Sequence, residues 1–89
     1  MFSKTVTIIN KKGLHARAAT LFAKLAMQID DDVQVSVAHS TRNGKSILEL
    51  LTLAAIKGTE ITITTTGTNN QTYLQQLVTL VEDGFGEDD

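Results

Sequence analysis

The amino-acid sequence predicts an α/β (α+β) two-layer sandwich, with an antiparallel sheet covered on one face by helices. Three observations lead there. Strand-like and helix-like segments mix without strict βα alternation, in the order β-α-β-β-α-β-α. A tight turn joins one strand pair, which antiparallel strands allow and parallel strands do not. The strand segments alternate in polarity, so the sheet has one buried face and one wet face.

The first strand is read over Thr5 to Asn10, TVTIIN, a run rich in β-branched residues that ends at Lys11, Lys12 and Gly13. Ala16 to Gln28 is full of good helix formers, and Ala19, Phe22, Ala23 and Ala26 recur at the spacing of one helix face. Asp30, Asp31 and Asp32 form an acidic connection. Val33, Val35 and Val37 then alternate with Gln34, Ser36 and Ala38, the period of a half-buried strand. The polar run His39 to Gly44 has room for a short strand and ends on Asn43-Gly44, a turn signal. Ser46 precedes ILELLTLAAI, a short helical pattern with Gly58 as its stop. Glu60 to Thr66 is a strand with Ile61 and Ile63 on one face, broken by Gly67. Gln71 to Asp83 carries Leu74, Leu77, Val78 and Val81 at helical spacing and closes at Gly84. The acidic end Glu87-Asp88-Asp89 is expected to fray.

A length of 89 residues sets the scale of a single domain, residues 1–89. A hydrophobic content of 42% supplies a core and argues against a disordered chain. With no cysteine, disulfides and thiolate chemistry drop out, which suits a reducing cytoplasm. The N-terminus lacks the basic start and apolar run of a signal peptide. No stretch approaches the roughly 20 apolar residues that span a bilayer. The expectation is a cytoplasmic protein that engages no membrane. A net charge of −2 and 4% aromatic residues argue against nucleic-acid binding, which uses basic faces and stacking rings.

The segment that carries chemistry is Lys12-Gly13-Leu14-His15-Ala16-Arg17-Ala18-Ala19, between the first strand and the first helix. His15 stands where Ser, Thr, Asp or Asn usually caps a helix, so the first backbone N–H groups are left free. Free amides at the positive end of a helix make an anion site, here supplied by Ala16, Arg17 and Ala18. Arg17 adds a guanidinium suited to phosphate oxygens. Gly13 lets the chain turn tightly just before the site. A phosphorylated imidazole, carrying roughly −1.5 to −2 charges by analogy with other phosphorylated side chains, would be stabilised there. The competing reading of a lone loop histidine is a polar surface residue, and the residues alone leave both open. His39, beside a turn, reads as surface.

Other chemistries lack parts. Zinc needs three or four ligands at suitable spacing, and two histidines without cysteine do not supply them, so no metal is expected. Neither GxxxxGK[ST] nor GxGxxG occurs.

Gly13-Leu14-His15-Ala16-Arg17 resembles the active-site signature of HPr, the histidine phosphocarrier family of the phosphoenolpyruvate-dependent phosphotransferase system. Gly44-Lys45-Ser46-Ile47 resembles the segment around that family's regulatory serine. Length, element order and motif positions agree over nearly the whole chain, and the ending resembles the nitrogen-related branch, NPr. The resemblance implies a four-stranded antiparallel sheet of order 1-4-2-3 with three helices. It also implies transfer of a phosphoryl group from enzyme I to Nδ1 of His15 and on to an EIIA-type protein, with Arg17 assisting. Sequence alone does not choose between the ring nitrogens. No cofactor and no stable oligomer are implied; the protein is expected to be a monomeric carrier and no enzyme.

One departure stands out: Ala18 occupies a position where family members often carry proline. Alanine is helix-compatible and offers one more backbone donor. Ser46 is explained as a helix N-cap, and equally as a candidate phosphosite for an HPr kinase. Ile47, Leu48 and Leu51 divide between core packing and a partner-docking patch. The rival to the carrier function is a regulatory binding protein of the same fold that acts through partner contacts without relaying phosphate.

Overall fold

The strands line up by the alternation of their side chains. In the computed structural model, which describes residues 2–66 and 71–87, β1 (Phe2–Thr7), β2 (Val33–Val37), β3 (Ser40–Asn43) and β4 (Glu60–Thr65) form one antiparallel sheet of order β1-β4-β2-β3. Val6, Val33, Val35, Ile61 and Ile63 turn to one side and are buried there. The opposite face is hydroxylic. Ser3 pairs with Thr64, Thr5 with Thr62, and Ser36 with Thr41, each across a ladder rung at 2.7–3.0 Å. Such rungs satisfy polar side chains without drawing on the core.

Helices α1 (Ala16–Ala26), α2 (Ile47–Thr52) and α3 (Gln71–Glu82) cover the apolar face. Helix α1 buries Ala18, Ala19, Phe22, Ala23 and Ala26, a stripe in which the alanines allow close approach and Phe22 fills the centre. Helix α3 buries Leu74, Leu77, Val78 and Val81, and α2 buries Leu50. Arg42 of β3 reaches the helix side to donate from Nε to Thr52 Oγ1 at 2.9 Å, and Lys4 of β1 donates to Gln75 on α3 at 2.9 Å. All three helices therefore lie on the same side of the sheet.

Several expected boundaries shift. Regular pairing in β1 runs over Phe2–Thr7, because β4 matches those residues from Phe2 opposite Thr65 to Thr7 opposite Glu60. The predicted strand began three residues too late and ran on into the loop, where Ile8 still exchanges hydrogen bonds with Thr59 and Gly58. Helix α1 ends at Ala26 rather than Gln28, with Met27 as its C-cap. Helix α2 stops at Thr52, well short of the apolar pattern that suggested it. Ala54 takes a left-handed conformation (φ 50°), and the backbone of Ala55 leaves the helix to accept from Leu14 N–H at 2.8 Å. The tight turn between strands is Ala38-His39, while Asn43-Gly44 turns β3 towards α2. The break expected at Gly67 and the ends expected to fray at Asp88 and Asp89 lie outside the described residues.

After α3 the chain makes a 3-10 turn, Gly84–Gly86, in which Gly84, Phe85 and Gly86 all have positive φ. A left-handed Phe85 is costly, and its ring is fully buried, which offsets the strain. The turn sends the next residue back towards the start of α1.

Gly13 is the most closely approached of the described glycines. Its φ is +64°, and a Cβ there would lie 2.4 Å from the Ala55 carbonyl oxygen and 2.9 Å from Ile56 Cα. Gly13→Ala should lower stability by about 2–3 kcal/mol, from the left-handed backbone together with the clash. Gly58→Ala, also at positive φ but facing open space, should cost only about 1 kcal/mol. Urea denaturation of the two variants measures the difference as a shift in midpoint at constant slope.

Candidate functional site

Helix α1 begins without a side-chain cap. His15 occupies the N-cap in an extended conformation (φ −88°, ψ −176°), and its carbonyl receives the first helical bond from Ala19 N–H at 2.8 Å. The amides of Ala16, Arg17 and Ala18 therefore have no acceptor within the helix. They form the positive end of an eleven-residue dipole. Ala16 and Arg17 are exposed, whereas the Ala18 methyl is fully buried under the helix. Ala18 thus offers a backbone donor at the site while its side chain belongs to the core.

The turn leading into His15 is held from two sides. Leu14 N–H donates to Ala55, and the Asn10 side chain donates from Nδ2 to the Gly13 carbonyl at 2.9 Å. Asn10 is only 1% exposed. The same Nδ2 donates to Glu87 Oε1 at 2.8 Å, and Glu87 Oε2 lies 2.5 Å from His15 Nε2. Both neighbours of the Asn10 amide are acceptors, so its nitrogen must face them. A carboxylate has acceptors only, so the hydrogen of the short contact belongs to the ring nitrogen. The His15 side chain retains 27% of its exposure and Glu87 8%.

These contacts hold the Glu87 carboxyl below its ordinary value. The hydrogen bond from Asn10 is the largest cause; desolvation opposes it, and the hydrogen bond and charge of His15, then the charge of Arg17, add to it. Arg17, the second residue of α1, therefore acts on the same carboxylate electrostatically.

Neither Asn10 nor Glu87 was singled out from the sequence. The fraying expected of the acidic end does not extend to Glu87: burial of Phe85 anchors the turn and brings Glu87 onto His15. An aromatic residue between two glycines just past a helix was the available signal, since such a residue seldom stays in water. Asn10, between an apolar run and Lys11-Lys12-Gly13, carried only a generic turn signal.

The other singled-out residues lie elsewhere. Ser46 is the N-cap of α2, its Oγ accepting from Glu49 N–H at 3.2 Å. Ile47 and Leu51 are half-buried against the core, and Leu48 is 78% exposed. His39 is exposed at the hairpin between β2 and β3. Among the described residues, no group of His, Cys, Asp or Glu is placed to hold a metal, and no helix is long and apolar enough to cross a membrane.

An uncapped helix end with a histidine and an arginine, on a sheet of order 1-4-2-3 covered by three helices, defines a class of small α+β proteins that present a histidine at a helix N-terminus. The sequence matches the family described as "PTS HPr component phosphorylation site" over residues 2–83. It is 42% identical over 87 residues to the phosphocarrier protein HPr of Neisseria meningitidis serogroup A, covering 98% of each chain. The fold superposes on crystal structures of HPr from Thermoanaerobacter tengcongensis (TM-score 0.93, 32% identity, 100% of both chains) and from Bacillus anthracis (TM-score 0.84, 36% identity, 90% of this chain and 95% of that one). The chain belongs to the HPr family, whose members are phosphocarriers of the phosphotransferase system and not enzymes.

The depressed Glu87 carboxyl fixes the sign of an acid response. Its contribution is complete above the unfolded carboxylate value of about 4.3 and is lost as pH falls through the lower folded value. The Asn10 side-chain amide resonances should therefore stay at their docked positions down through the ordinary carboxylate range and move only below it. A midpoint at or above the ordinary value would contradict the arrangement.

Proposed function

We propose that the chain relays a phosphoryl group on His15, taking it from enzyme I and giving it to an EIIA-type protein in a phosphoenolpyruvate-dependent phosphotransferase system. The observation that carries this reading is the placement of His15 at the uncapped N-terminus of α1, with the amides of Ala16, Arg17 and Ala18 behind it and Arg17 alongside. Nδ1 is the accepting atom. Support comes from Nε2, which is taken up by Glu87. Phosphoryl transfer needs in-line positioning and charge stabilisation, much of which a partner supplies, so a small carrier suffices. Ala18, in place of the family's proline, keeps its amide as a donor.

Leu48, with the flanks of Ile47 and Leu51, forms an apolar patch suited to docking those partners in turn. Ser46 is a phosphosite for an HPr kinase, and the added charge would alter that patch. The pathway is the nitrogen-regulatory one, on the resemblance of the chain's ending to that branch. The protein works as a cytoplasmic monomer, with residues 1–89 as one HPr-like domain; the contiguous core from Val6 to Phe85 supports the last point.

Incubation with phosphoenolpyruvate, magnesium and an active enzyme I should add one acid-labile phosphoryl group to the intact mass, and His15→Ala should abolish the gain. Arg17→Ala should still accept the group but transfer it about tenfold more slowly, the usual weight of one charge-assisted hydrogen bond. No gain in mass with an enzyme I that phosphorylates another carrier would favour a regulatory protein acting by contact alone.

A further inference from the structure

The contact between Glu87 and His15 has a consequence for the transfer step itself, and it rests on the carrier reading above. We infer that Glu87 is a positioning residue for phosphoryl transfer: its carboxylate, fixed by Asn10, keeps a proton on His15 Nε2 before, during and after transfer, so that Nδ1 enters and leaves the reaction without any proton moving.

The argument begins with donors and acceptors. Nε2 lies 2.5 Å from Glu87 Oε2, and the other carboxylate oxygen takes the Asn10 Nδ2 hydrogen at 2.8 Å. Asn10 cannot turn its amide over, because Nδ2 also serves the Gly13 carbonyl. Residue 87 must therefore offer two acceptors, one to each neighbour. Only a carboxylate does so; an amide would set a donor against Asn10 or against Nε2. A neutral imidazole has one N–H, and with that hydrogen on Nε2 the lone pair is on Nδ1.

The step then balances simply. The Nδ1 lone pair attacks the phosphorus of the phosphorylated donor; the N–P bond forms as the donor's own bond to phosphorus breaks, its electron pair staying with the donor. Nε2 keeps its hydrogen, so the ring of the product carries a positive charge beside its phosphoryl group. The Glu87 carboxylate faces that charge across the short hydrogen bond. When the group moves on, the N–P bond breaks and its electron pair returns to Nδ1, restoring the starting tautomer. A ring protonated at Nε2 is the better leaving group, so the same carboxylate keeps the group transferable. Among the described residues, the other charge acting on this carboxylate is Arg17 of α1. It is free to favour the phosphoryl oxygens while Glu87 serves the ring.

Nitrogen-15 spectra of the unphosphorylated chain at neutral pH test the first half directly. The Nε2–H tautomer with a downfield, slowly exchanging ring proton is expected; the Nδ1–H tautomer would overturn the inference. Phosphoramidate, which phosphorylates histidine without a partner protein, gives access to the second half. In the phosphorylated state, Glu87→Gln and Glu87→Ala should each lower the proton affinity of Nε2 about tenfold and slow transfer to an EIIA-type acceptor by a similar factor. Thermal melts should show both variants folded. Unchanged Nε2 proton affinity and transfer rate in folded Glu87→Gln would overturn the inference. Failure of the wild-type chain to accept from enzyme I, with the Nε2–H tautomer present, would instead count against the carrier reading.

Discussion

The amide of Asn10 ties the turn before α1 to the segment that follows α3. One nitrogen donates to the Gly13 carbonyl, shaping the turn into α1, and to Glu87, fastening the end of the described chain to the same place. Asn10 is almost fully buried, so an unmet donor there would be expensive, by about 1–3 kcal/mol. That penalty gives the site its rigidity. If the turn drifts or the Glu87 segment lifts, the amide loses a partner it cannot replace with water. The position of His15 thus follows from a buried hydrogen-bonding requirement a few residues upstream.

Helix α1 meets two opposing demands. Its first turn is left uncapped, which forgoes about 1 kcal/mol that a Ser or Asp N-cap would supply. Its buried stripe offsets that loss. Phe22 with Ala18, Ala19, Ala23 and Ala26 packs with no exposure, and burial of a phenylalanine alone stabilises by roughly 1.5–3 kcal/mol. The helix is held by its core face from Ala18 onward, so its N-terminus can stand without a side-chain cap. The division runs between adjacent residues: Arg17 is in solvent and Ala18 in the core.

The shortness of α2 belongs to the same design. Had the apolar run continued as helix, the Ala55 carbonyl would have been spent on a residue further along its own segment. The left-handed Ala54 releases it to meet Leu14, next to Gly13, whose missing side chain leaves room for that carbonyl. Strain at an alanine is tolerated where backbone from two distant segments closes together. This hydrogen bond links the segment that follows the helix carrying the exposed Leu48 to the turn that leads into His15.

The sequence by itself determined the element order, the buried faces and the histidine motif. Each of these rests on residues close together in the chain, where side-chain period and local backbone preference act directly. Val33, Val35 and Val37 declare a strand face, and the alanines around Phe22 a helix stripe, whatever surrounds them. Boundaries were less legible. The start of β1 is set by its partner β4, and the end of α2 by the need of Leu14 for an acceptor. The second half of the site could be read only from the tertiary structure. Asn10 and Glu87 stand 77 positions apart, and His15 and Glu87 72. No periodicity links residues so distant. They meet because Phe85 must bury its ring and the left-handed turn around it points the next residue at the imidazole, a consequence of chain closure that no local pattern encodes.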